Sequence, residues 1–251
     1  MQEVWSDAWF GARLLVLAAA TVALGVWYGT GLRLFPLWAI VRAAIQLSIV
    51  ALLLRGVLAV PWTAAAFVLL MLSTASFTAM GRTRELWRGR EAAVVGVIAG
   101  ALVSLAAIFV LQLVDLQARY VVATGGIIIG NAMSAATLTG RNFLRAARQR
   151  RDEIEGWLAL GATPSEAHLE IGQEAVRESL LPNLDQTRST GLVTLPGAFV
   201  GALFGGASPA EAARFQLVVL AGIALAMTVC GVLVARVLGR TPYLTASPDR
   251  G

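Results

Sequence analysis

Apolar runs of about 20 residues, the length a helix needs to cross a bilayer, recur along this chain and leave it few folds to choose from. In hydrocarbon no water is present to satisfy backbone N–H and C=O groups, so such runs must bond internally as helices. Spans are expected at 12–29, 34–54, 59–80, 92–114, 118–139, 189–206 and 214–236. The fold class is an all-α polytopic transmembrane bundle of about seven spans. Composition agrees: 57% of residues are hydrophobic and 14% charged, against about 25% charged in soluble domains. One integral membrane domain is expected, with spans 1–5 in 1–139, cytoplasmic coupling helices in 140–188, spans 6–7 in 189–237 and a disordered tail, 238–251. The first ten residues carry Glu3 and Asp7 in place of the basic region of a secretory signal.

Several function classes are excluded or weakened. All 20 basic residues are arginine. A P-loop needs a lysine on the nucleotide phosphates, so any ATP hydrolysis belongs to another chain. The single cysteine, Cys230, and single histidine, His168, leave no intramolecular disulfide and no His-rich metal site. No nucleophile elbow or paired carboxylates stand out, so the chain is not read as an enzyme. If 140–188 is cytoplasmic, most arginines fall inside, among them Arg82, Arg84, Arg88, Arg90, Arg141, Arg145, Arg148, Arg236 and Arg240, whereas Arg13, Arg55, Arg119 and Arg214 fall outside. This bias puts the N-terminus outside and the C-terminus in the cytoplasm.

The polar 140–188 segment has its own design. "RNFLRAARQRRDEIEGWLALGA" carries apolar residues at helical spacing until Gly161 breaks it. Thr163, Pro164 and Glu166 then spell a capping box with proline at the first helical position. A second helix is expected from Pro164 to about Leu181, ending before Pro182, and the whole is expected as a helix-turn-helix projection too polar to enter the bilayer. Glu166, Glu170, Glu174 and Glu178 form one acidic stripe, either a solvated face or a docking face. His168 is expected to be an ordinary surface or docking contact.

Polar residues inside the spans are the candidate pathway. Asn131 and Met133 lie within "GGIIIGNAMSAATLTGRNF", and Arg42 and Gln46 lie one turn apart in the second span. A buried amide or guanidinium in hydrocarbon needs a partner or water. Asn131 therefore either bonds to a neighbouring helix or lines a route. Asn131 and Met133 are about 200° apart on a helix, so they cannot share a face, and Met133 is expected toward a central cavity with Asn131 packing. Arg42, about 12 Å from the span's start, either snorkels to the interface or lines an inward cavity. Two sets of small residues are candidate packing or hinge surfaces: Gly126 and Gly130 in one span, and Gly197, Gly201 and Gly205 after Pro196 in another. No ligand set identifies a metal, so a metal site remains unknown.

The motifs "VRAAIQL" (41–47), "GNAM" (130–133), "LGATP" (160–164), "LLPNLD" (180–185) and "GLVTLPGAFVGALFGG" (191–206) together resemble the FetB (YbbM) family of ABC-transporter permeases, an iron-export family related to plant aluminium-sensitivity permeases. "LALGATPSEA" is similar to a permease coupling segment, although the Leu181-Pro182 pair lies further from the glycine than in importers. The resemblance implies a permease subunit exporting iron or a related metal or small solute from the bacterial inner membrane. It implies a homodimer, docked through Trp157, Leu160, Gly161, Ala162, Thr163, Pro164 and Glu166 on a separate FetA-like ATPase. That ATPase would carry the ATP-Mg, leaving no cofactor in this chain; membrane lipids are the other expected partner, and nucleic acid is not. The alternatives are a non-transport membrane partner of an ATPase, or a secondary transporter.

Overall fold

The computed structural model describes residues 2–57 and 61–242. The chain divides into two compact units, Met1–Ala59 and Val60–Gly251. The first holds a helical hairpin of α1 (Gln2–Trp27) and α2 (Phe35–Val57). Its turn uses Gly29 (φ 76°) and Gly31 (φ 72°), left-handed conformations that glycine adopts without a Cβ clash. Most described side chains of both helices are exposed, including Trp9, Phe10, Leu47 and Leu52.

The second unit holds α3 (Pro61–Arg82), α4 (Gly89–Val110), α5 (Ala118–Gln149), α6 (Arg151–Ala159), α7 (Pro164–Ala167), α8 (Leu169–Ser189), α9 (Gly197–Phe204) and α10 (Pro209–Leu238). Its tightest seam joins α4 and α10 in antiparallel. A methyl group on Gly96 would come within 2.8 Å of a Val234 methyl, and one on Gly100 within 2.5 Å of the Ala226 carbonyl oxygen. Ser104 donates to the Gly222 carbonyl at 2.7 Å. These backbones approach because glycine removes the side chain that would hold them apart. Parallel to α10, α5 packs alongside through Cys230, whose Sγ contacts the Ala132 carbonyl at 3.2 Å. Buried Ile128, Ile129, Ala132, Ala135 and Ala136 fill the space between.

Register along these helices gathers the arginines. Gly140 abuts Thr83 and Leu86, and Gly239 abuts His168, whose ring stacks on Phe143 at 5.8 Å. Arg82, Arg84, Arg88, Arg90, Arg141, Arg236 and Arg240 thus share one end of the unit. Arg119 and Arg214 share the other, where Tyr120 meets Phe215 at 5.6 Å. Between Arg214 and Arg236, α10 is apolar for about 30 Å, the thickness of a hydrocarbon core.

Among the described residues, six helices are long and apolar enough to cross a membrane: Trp9–Trp27, Phe35–Leu53, Trp62–Arg82, Gly89–Val110, Ala118–Gln149 and Pro209–Leu238. The architecture is a polytopic helical membrane protein with no strand among those residues; only an isolated Thr190–Thr194 bridge occurs. Three expectations change in detail. The helix of the fifth span runs on past 139 without a break. With no breaker before Arg150, α5 continues for 32 residues, about 48 Å. The helix expected to end before Pro182 runs through it to Ser189. The span expected at 189–206 is interrupted. Gly191 turns left-handed (φ 95°), the connection 190–196 is not helical, and Pro196 caps an α9 of only 8 residues. Of the expected tail, Leu238 still belongs to α10 and Thr241 is buried; 243–251 lie outside the described residues.

Candidate functional site

The return from the arginine-rich end to the opposite end is made by α8, the connection 190–196 and α9. The α8 helix does not project away from the bundle. It packs antiparallel to α10, with Gly172 against Ala235 and Val176 against Gly231, and meets α5 where Thr139 donates to Ser179 at 3.0 Å. By that register Gly172–Ser189 lies beside the apolar stretch of α10. What admits so polar a helix is a narrow stripe, Ile171, Gly172, Ala175 and Ser179, all buried. Around it Arg177, Glu178, Asp185, Gln186 and Arg188 stay exposed. Charges at this depth face water or protein, and non-helical backbone such as 190–196 is tolerated there only under the same cover.

The break in α8 is chemically marked. Pro182 has no N–H, so the Glu178 carbonyl loses its usual intrahelical donor. Next to it, Asn183 Oδ1 is buried without a hydrogen-bond partner. Leaving such an oxygen unpaired costs about 1–3 kcal/mol. At the far end a cavity of about 750 Å³ opens between the α4–α5 loop, α5, α9 and α10. Asp115, Arg119, Glu211 and Arg214 supply its charge, and Gly201 and Gly205 line its α9 wall.

The expected site residues divide accordingly. Ala123 and Ile127 of α5 line this cavity, and Asn131 is one turn further along the same face. Its amide donates to the Ile127 carbonyl at 2.8 Å, within its own helix. Met133 instead packs against the buried core. The cavity thus follows the Ile127 face of α5, the face on which Asn131 also lies. Arg42 and Gln46 are exposed on α2 in the first unit. Of the small residues, Gly126 is in close contact, a methyl there meeting Met71 at 2.9 Å, whereas Gly130, Gly197 and Gly201 have open space where a Cβ would be. The Gly197–Gly201–Gly205 ridge is therefore not a packing seam inside this chain. Close-packed glycines at the seam between α4 and α10 are instead Gly96, Gly100 and Gly222. Their signal in the sequence was the four-residue spacing of Gly96 and Gly100.

The turn at the arginine-rich end forms as its sequence spells. Thr163 accepts from the Glu166 amide at 3.4 Å, and Glu166 Oε2 accepts from the Thr163 amide at 2.8 Å. Gly161 takes φ 92°. The Thr163 amide, then its hydroxyl, hold the Glu166 carboxyl below its ordinary range. Leu160 is 83% exposed and Trp157 51%, an apolar prominence beside the cap. Part of the acidic stripe is neutralised within the chain: Arg150 reaches Glu153, Glu170 at 2.9 Å and Glu174 at 3.5 Å. Glu153, then Glu170, raise the Arg150 guanidinium further. His168 is not a surface contact; it is buried, with Nδ1 2.8 Å from the Pro164 carbonyl, because the short α7 turns it onto Phe143. Among the described residues, no three His, Cys, Asp or Glu side chains come together as a metal site.

Comparison with known proteins gives these features a family. The profile of the uncharacterised protein family UPF0014 matches residues 10–243. The UPF0014 membrane protein STAR2 of Oryza sativa subsp. japonica is 33% identical over 236 residues, covering 91% of this chain and 82% of the relative. The protein ALUMINUM SENSITIVE 3 of Arabidopsis thaliana is 32% identical over 224 residues, covering 88% and 82%. The "Probable iron export permease protein FetB" of Escherichia coli (strain K12) is 30% identical over 185 residues, covering 73% and 71%. No solved structure matches. With a profile match over nearly its whole length and relatives aligned across most of theirs, the chain belongs to the UPF0014 family of membrane proteins.

Proposed function

We propose that this chain is the permease subunit of an ABC transporter, driven by ATP hydrolysis on a separate FetA-like cytoplasmic ATPase. The observation that carries the reading is the polar, interrupted α8–α9 return beside apolar α10, which gives a charged solute a way through hydrocarbon. The α6–α7 turn supports it from the other side. Exposed Trp157 and Leu160, with the rigid cap at Thr163 and Pro164, offer an ATPase a surface at the end where α8 begins. The cargo proposed from the FetB relative is iron or a related metal, moved outward from a bacterial cell across the inner membrane. Asp185, Gln186 and Asn131 would offer it oxygen contacts in passing, without a fixed ligand cage. A second copy of the chain would complete the route, the N-terminus would lie outside, and the arginine-rich end would lie in the cytoplasm.

Glu178 and Asp185 on α8 are the carboxylates a secondary transporter would need, so the test must separate energy sources. In vesicles holding the chain and the ATPase encoded with it, metal flux should require ATP. Gly161→Val, which strains the turn, should uncouple hydrolysis from flux while leaving insertion intact. ATP-independent flux driven by an ion gradient would establish the secondary transporter. Stimulated hydrolysis with no flux of any metal would establish a non-transport partner.

A further inference from the structure

A groove of about 720 Å³ runs between α8 and α10 at the arginine-rich end, and no residue of the proposed route explains it. Its walls are apolar, with Val176, Leu180 and Leu184 on α8 and Val232 on α10. Its rim carries three arginines, Arg177, Arg236 and Arg240, all exposed. None of the three makes an ion pair among the described residues. Of the acids on α8, Glu170 and Glu174 face Arg150, and Glu178 forms no ion pair with any of the three among the described residues. Measured along α8 from His168 to Leu184, the groove is about 24 Å long. It begins where α10 leaves its apolar stretch at Arg236 and ends well inside that stretch.

We propose that this groove binds one anionic phospholipid, its phosphodiester held by Arg236, Arg240 and Arg177 and an acyl chain lying along Val176, Leu180 and Leu184. The charge calls for an anion, and the apolar inner end calls for a hydrocarbon tail attached to it. A soluble protein partner could reach the rim but not the inner end at Leu184, which lies at hydrocarbon depth. Basic pockets between spanning helices hold acidic headgroups for the same reason. Lipid seated here would brace α8 against α10 and so set how freely the return pass moves.

The test uses the full chain in phosphatidylcholine, titrated with phosphatidylglycerol, and reads melting temperature together with retained lipid by native mass spectrometry. Phosphatidylglycerol should raise the melting temperature and leave one lipid bound per chain. Inorganic phosphate and added phosphatidylcholine should do neither. Each arginine neutralised should weaken binding about fivefold, so Arg236→Gln with Arg240→Gln should weaken it about 25-fold. Leu184→Gln, an exposed position, should weaken it by the loss of the tail contact, and serves if the arginine variants fail to fold. Arg145→Gln, at the same end but away from the groove, should bind as the parent does. Equal weakening in Arg145→Gln would overturn the proposal in favour of diffuse surface attraction. Stabilisation by inorganic phosphate alone would overturn it in favour of a free anion. A dimer abolished by Leu184→Gln, with no lipid retained, would overturn it in favour of a second copy in the groove.

Discussion

Two pairs of segments in the second unit meet side by side and are built on opposite rules. Along the seam between α4 and α10, glycines at 96, 100 and 222 bring backbones together, and Ser104 is paired to the Gly222 carbonyl. In the return pass of α8 and α9, the helix carries a proline, an unpaired buried amide oxygen at Asn183, exposed charges and a non-helical gap. The first region cannot change without losing contacts that have no substitute. The second leaves its polar groups only partly satisfied and its backbone broken, which is the composition of a part that moves or touches solute. The seam is the scaffold, and the return pass is where function is expected.

The contrast breaks most sharply at Gly100. Gly100→Val puts a branched side chain where even a methyl group lies 2.5 Å from a carbonyl oxygen. Overpacking costs about 1–3 kcal/mol, occasionally more, and neither backbone here can yield. We expect little folded protein by size-exclusion profile. A Gly100→Val variant that folds with the parent's melting temperature would show that the seam is not rigid.

Asn183→Leu tests the opposite rule. It removes an unpaired oxygen and keeps the branched shape, so stability should hold or rise by about 1 kcal/mol, while metal flux per folded molecule falls at least tenfold. A stabilised variant with undiminished flux would reduce Pro182–Asn183 to a tolerated defect.

Next in size is the pair on α5. Asn131→Ala should lower flux several-fold at small cost in stability, about 0.6 kcal/mol for an average intramembrane hydrogen bond. Met133→Leu, within the core, should leave flux unchanged. The reverse outcome would restore Met133 to the route.

The smallest effect belongs to the cap. Thr163→Ala should cost the turn about 1 kcal/mol. The Glu166 carboxyl is held below its ordinary value near 4.5, so its contribution is fully present above that pH and is lost as pH falls through the folded value beneath it. Amide exchange at 163–167 should therefore be flat from neutral pH down to about 5, apart from intrinsic rates, and should quicken in acid only where Thr163 is intact.

How much of this was legible depends on what each residue reports. Apolar length declared the spans, because hydrocarbon permits only one local solution. The box at Thr163–Glu166 was legible because its partners are three residues apart. The return pass was legible only at Pro196, read as a hinge, and not in the gap before it. An average over 189–206 is apolar whatever Gly191 and Pro196 do to its continuity. The polarity of α8 suggested exposure, although four small or apolar residues suffice to seat it against α5 and α10. Which of Asn131 and Met133 faces a route was not legible for a related reason: helical geometry separates them but does not say which side a neighbour occupies.

The capping box at Thr163 has a twin. Ser208 accepts from the Glu211 amide, with Pro209 at the first helical position, so the same device stands at the start of α7 and at the start of α10. Between them lies the whole of the return pass. In mechanical terms the pass is a beam with both ends clamped: each clamp fixes a direction of departure, and any bending must be taken up at interior joints. Those joints are the break at His168, Pro182, the gap at 190–196 and the turn at Gly206 (φ 90°). A displacement imposed at the Thr163 clamp would then reach Ser208 as a rotation between the joints, with the capped ends keeping their form.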